Sequence, residues 1–150
     1  MRNYTCAVAL ACFGSLSALA APHCDPTTTK GVWEYTCDGY LTPPPPAPAA
    51  LAPARILGTC DSSSSAYWSC TGTVNLGGTI LDQELQGQAN NNADCTGTIT
   101  YAQKIFGQPA PDLNIRYVIW DQGARISGLP VDAGQVLSCR LHRIRVSGSP

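Results

Sequence analysis

Apolar and polar residues alternate with a period of two along most of this chain, and almost nowhere with helical spacing. Successive side chains on a strand point to opposite faces, so the pattern predicts half-buried strands. Gly31-Val32-Trp33-Glu34-Tyr35-Thr36-Cys37 sets Trp33, Tyr35 and Cys37 on one face, and Asp38-Gly39 predicts a turn after it. Further strands are predicted over 55–60, 67–76, 79–86, 95–101, 124–127 and 135–146, with another carrying Leu113, Ile115, Tyr117 and Ile119. The breaks between them fall at Ser62 to Ser65, Gly77-Gly78, Asn90-Asn91-Asn92, Asp121-Gln122-Gly123 and 128–134. Regular short strands of this kind predict an all-β fold, an antiparallel β-sandwich or small barrel stapled by disulfides.

Two of the strands carry near-identical pentapeptides that begin with cysteine, Cys70-Thr71-Gly72-Thr73-Val74 and Cys95-Thr96-Gly97-Thr98-Ile99. In both, the cysteine, the glycine and the β-branched residue share a face. Both cysteines then point into the core. Gly72 and Gly97 each leave room for a close neighbour, an aromatic ring or another backbone.

The amino terminus changes the picture of where the chain resides. Arg2 precedes a short run of small apolar residues, and Ala18-Leu19-Ala20 is a cleavage signature, so 1–20 read as a secretory signal peptide cut after Ala20. No stretch supplies the roughly 20 apolar residues of a membrane span. The predicted destination is secreted or periplasmic. The remaining cysteines, Cys24, Cys37, Cys60, Cys70, Cys95 and Cys139, form an even set that reads as three disulfides in an oxidising compartment. Local pairing predicts Cys24–Cys37 and Cys60–Cys70, leaving Cys95–Cys139. Segment 21–42 is expected as an N-terminal strand segment and 43–54, with Pro43 to Pro46, as a proline- and alanine-rich loop or linker. The main β domain, 55–150, is expected to form one unit with 21–42.

Charge is scarce and nearly balanced, at a formal −1, which gives no support to nucleic-acid binding. Metal and cofactor sites are not expected: there is no C-x-x-C, and His23 and His142 are the only histidines. A hydrolase would have to use His142 as a base, or Asp82 and Glu84, which alternate onto one strand face. Arg140, His142, Arg143 and Arg145 crowd the last strand, with Arg125 on the strand before it. Strict alternation divides these residues between two faces, and a β-bulge near His142 would unite them into a patch for carboxylate, sulfate or phosphate groups. The competing reading is charge that protects an edge strand from aggregation.

Tyr35-Thr36-Cys37-Asp38-Gly39 and Gly123-Ala124-Arg125 resemble pieces of the periplasmic inhibitors of animal-type lysozymes. Those are small β-barrels whose Ser-Gly-x-x-Tyr loop plugs the enzyme cleft. The likeness covers fewer than ten residues, with Gln122 in the place of the serine and Ile126 in that of the tyrosine. It implies enzyme inhibition as one form of binding. The functional expectation is an exported non-catalytic β domain that binds a protein or an anionic glycan through Arg125, Arg140, His142, Arg143 and Arg145. A small secreted hydrolase and a structural surface protein are the alternatives.

Overall fold

The structure, a computed structural model, describes residues 23–25, 27–43, 50–62 and 66–145, so the leader segment 1–20 lies outside the described residues. Eight antiparallel strands follow one another around a closed barrel. They are β1 (Gly31–Leu41), β2 (Ala52–Ser62), β3 (Tyr67–Leu76), β4 (Thr79–Asn91), β5 (Thr96–Ile105), β6 (Gln108–Trp120), β7 (Arg125–Pro130) and β8 (Gln135–Arg145). Each strand pairs with the next, and β8 returns to β1. No helix among the described residues is long and apolar enough to cross a membrane.

Alternation alone suits a sandwich and a barrel equally; the pairing of β8 with β1 closes these strands into one barrel. Every strand has one apolar face, and an eight-stranded barrel is just wide enough for those faces to fill it. The interior holds Trp33, Tyr35, Trp68, Tyr101 and Tyr117 together with Ile56, Val74, Leu85 and Ile119. The Trp33 and Trp68 rings lie 5.7 Å apart between centroids. One polar chain crosses this core: the Tyr35 hydroxyl donates to Gln83 Oε1 (3.3 Å), and Gln83 Nε2 donates to Gln103 Oε1 (3.3 Å). Burial pushes the Tyr35 and Tyr117 hydroxyls up to about 12, and Tyr101 higher still.

The two glycines of the repeat serve as their pattern suggested. A Cβ on Gly72 would collide with the Tyr35 hydroxyl and with Leu57 O, and one on Gly97 would fall within the Tyr117 ring. The two cysteines differ, however. Cys70 sits within β3, whereas Cys95 precedes β5 in a left-handed conformation (φ 66°).

Several boundaries depart from the sequence reading. Asp38-Gly39 does not turn the chain, because β1 runs on to Leu41. Gly39 is there because the backbone of β8 passes too close for any Cβ, which would meet Val136 O. β2 begins at Ala52, inside the expected proline-rich loop, and Pro53 pairs with Tyr40. Of that loop, 44–49 lie outside the described residues. β4 continues through Asn90 to Asn91, whose side-chain oxygen accepts the Tyr117 hydroxyl.

Among the described residues there are three disulfides, and two of the expected pairings are corrected. Cys60–Cys70 joins directly opposed residues of β2 and β3, as predicted. The others are Cys37–Cys139 and Cys24–Cys95, not Cys24–Cys37 and Cys95–Cys139. Proximity in sequence misled because barrel closure places β1 beside β8, so Cys37 faces Cys139 across 102 residues of chain. Such bonds persist in oxidising compartments such as the cell exterior or the periplasm.

The two barrel ends differ. One is plugged by the segment before β1, where Cys24 bonds Cys95, and the buried Thr29 accepts the Trp33 indole N–H at its carbonyl (3.0 Å). Asp25 and Asp94 accept side-chain and backbone bonds from Thr27 and Thr96, which lower both carboxyl pKa values. At the other end lie the connections 77–78, 106–107 and 131–134, with the end of β1 and the start of β2.

Candidate functional site

The register around β6, β7, β8 and β1 builds the most chemically distinctive surface. Trp120 pairs with Arg125, Arg125 with His142, and His142 with Glu34, forming one row across four strands. The next outward row is Val118, Ser127, Arg140 and Thr36. Cross-strand partners point to the same side of the sheet, so these residues share the outer face. Between the rows runs an open groove of about 510 Å³, lined by Glu34, Thr36, Trp120, Arg125, Arg140 and His142.

Local contacts hold this surface in shape. The Arg125 guanidinium lies 5.3 Å from the centroid of the exposed Trp120 ring, and its Nε is 3.5 Å from Asp121 Oδ2. Trp120 Nε1 donates to Ser127 Oγ (3.2 Å). The connection Asp121–Gly123 beside it carries three consecutive residues at positive φ, at 54°, 53° and 80°. Two of these are not glycine, which places backbone strain at the groove's edge.

Of the five basic residues expected to act together, Arg125, Arg140 and His142 meet in this groove. Arg143 does not. It lies inside the plugged end, with its guanidinium 4.7 Å from the Trp33 ring centroid and Nη2 donating to Thr28 O. Burial draws its pKa below the ordinary arginine value. Arg145 is exposed at the end of β8, opposite Val32. The β-bulge exists but falls at Ile144, between the pairs Trp33–Arg143 and Val32–Arg145, and so it leaves Arg143 facing inward.

The edge-protection reading fails on topology. Arg140 and His142 pair with β1 on one side and β7 on the other, so no edge is present where they stand.

Sequence reasoning missed Arg116. It lies on the outer face of β6, paired with Leu129, and lines a neighbouring groove of about 730 Å³ that shares Ser127 with the first. The signal was in the alternation, since Arg116 interrupts the inward series Leu113, Ile115, Tyr117 and must face outward. Neither Arg116 nor Arg140 makes an ion pair with a described residue.

The two residue sets of the hydrolase alternative lie on different strands, His142 on β8 and the pair Asp82 and Glu84 on β4. Asp82 and Glu84 are exposed on the outer face of β4, with Glu84 Oε2 3.8 Å from Lys104 Nζ. Ser127 stands one pair from His142, yet no hydrogen bond joins them. Among the described residues no three metal-ligating side chains cluster. No protein-family model, curated protein or solved structure matches the chain.

Proposed function

We propose that this is a binding protein whose outer face over β6, β7, β8 and β1 recognises an anionic protein or glycan outside the cytoplasm. The observation that carries the reading is the meeting of Arg125, Arg140 and His142 in one groove beside the exposed Trp120, with Arg116 in the neighbouring groove of the same covalently braced wall. Arginine forks suit carboxylate and sulfate groups, and an aromatic ring beside them adds apolar contact area. A barrel held by three disulfides loses little further freedom on binding, which favours recognition by a preformed surface.

The strained connection Asp121–Gly123 favours inhibition as the mode of binding, since it presents the exposed Asp121 and Gln122 at the edge of the same groove. Its contacts would be made by Trp120, Gln122 and Arg125. Ile126, which stands where the lysozyme inhibitors have a tyrosine, is buried in the core and offers nothing to a partner.

The test uses heparin and an acidic protein as immobilised probes, with the mature chain and its R116Q/R125Q/R140Q variant. Each exposed charge contributes about 0.2–1 kcal/mol, so losing three should weaken binding on the order of tenfold. The loss should shrink as salt rises. Unchanged affinity in a variant with unchanged melting would remove this face from the function.

A further inference from the structure

The β6–β8 side of the barrel end opposite the plug is shaped by prolines. β7 has six residues, whereas its neighbour β6 has thirteen. Arg143 N–H donates to Ala124 O (3.0 Å), and antiparallel alternation then places the next hydrogen-bonded pairs at 126/141, 128/139 and 130/137. Pro130 has no N–H to donate, and the β7–β8 ladder stops at Gly128–Cys139. On the other flank, Pro109 and Pro111 occupy the part of β6 that β7 no longer reaches. Past Pro130 the wall between β6 and β8 is no longer paired strand but the connection 131–134, held to β6 by Val131 N–H to Asn114 O (2.9 Å), and this break in the ladder is a proline-bounded notch at the barrel mouth.

Behind the notch lies a cavity of about 390 Å³. Its walls are aliphatic, with Ile56, Val74, Leu76, Leu81, Leu113 and Leu137 prominent, and its floor is the Gln83–Gln103 pair. Gln83 Nε2 spends one N–H on Gln103, and Gln103 Nε2 spends one on Pro111 O (2.6 Å). Each amide nitrogen carries two hydrogens, so each retains one for an incoming acceptor. Among the described residues the only charged side chains on the lining are Asp112 and Asp132, and none of them is basic. Size, apolar walls, a few polar groups at the floor and a position in a barrel mouth together match the general character of small-molecule sites.

We infer that the barrel mouth is a second binding site, independent of the basic face, for a small uncharged apolar molecule bearing a hydrogen-bonding group. The molecule enters through the proline notch, buries its hydrocarbon part against β3, β4, β6 and β8, and turns its polar atom to Gln83 and Gln103. The two aspartates repel anions, which sets the ligand class apart from the acidic partners of the outer face.

Fluorescence titration of the intact mature protein with N-phenylnaphthylamine tests this, with anilinonaphthalene sulfonate, the same ring system carrying a sulfonate, as competitor. The neutral probe should bind saturably at one site per chain, and the sulfonate should displace it at least about tenfold less effectively than unlabelled neutral probe analogues do. Leu76→Glu places a charge on the cavity wall, and Ala110→Trp fills the space without burying a charge. Either variant, if folded by its melting curve, should weaken the neutral probe by about tenfold or more, whereas R140Q should leave it unchanged. Absence of saturable binding overturns the inference. So does equal displacement by the sulfonate, or wild-type affinity in a folded Ala110→Trp.

Discussion

At the scale of the residue, two side chains show how little of a position's role lies in its own chemistry. Gly97 has no positive φ to justify it; its reason is the Tyr117 ring, which occupies the space of a Cβ. Gly97→Ala should therefore destabilise the barrel by about 1–3 kcal/mol through overpacking. The cost should fall in a Tyr117→Leu background, and a double-mutant cycle by urea unfolding reads that coupling. Equal cost in both backgrounds would mean that the ring yields and the backbone is what objects. Arg143 and Arg140 make the complementary comparison, three residues apart with the same side chain. Arg143→Gln removes the contact over Trp33 and the bond to Thr28, at about 1–3 kcal/mol. Arg140→Gln, on the exposed face, should shift stability by no more than about 0.5 kcal/mol. Thermal melts of the two variants check this, and equal shifts would contradict the inward placement of Arg143.

At the scale of the element, the strands were legible because period two survives wherever one face is buried. The inward sets of β3 and β5 follow directly from Trp68, Cys70, Val74 and from Gly97, Ile99, Tyr101. The ends were less legible because the residues there have two readings. Asp38-Gly39 is turn chemistry in isolation, yet Gly39 is required by the approach of β8, which only the closed fold reveals. Asn90 and Asn91 read as loop until Tyr117 supplies a partner from β6. The basic site was legible as a cluster but not as a surface, since the bulge that decides its faces sits at Ile144. β1, β5 and β6 each bury one tyrosine, and that has a consequence in alkali. With folded pKa values raised from 10.0 to about 12 for Tyr35 and Tyr117, the folded state holds protons that the unfolded state releases. Their contribution to stability is complete below about pH 10 and is lost as pH rises toward 12. Absorbance titration at the phenolate band should show these tyrosines ionising together with loss of the fold. Smooth ionisation before unfolding would show that water reaches the core.

At the scale of the whole molecule, closure is the property that no local pattern announced, and the disulfides report it. Cys37–Cys139 bonds the first strand to the last across 102 residues, while Cys60–Cys70 spans 10 within one hairpin. The hairpin already holds its cysteines together in any state that retains β2 and β3, so its bond restricts little. The closing bond instead removes the freedom of nearly the whole described chain when unfolded. Loop-closure entropy grows as the logarithm of length, and a tenfold difference in loop size amounts to about 2 kcal/mol. Removing Cys37 and Cys139 together, as serines, should therefore lower stability by about 2 kcal/mol more than removing Cys60 and Cys70 together. All four cysteines are buried to a similar degree, so the packing lost in the two double variants is comparable and the difference isolates chain topology. Denaturant unfolding of both variants under non-reducing conditions makes the comparison. Equal losses would mean that the unfolded chain keeps β1 near β8 without the bond, and that barrel closure is encoded in the strands rather than secured by the sulfur bridge.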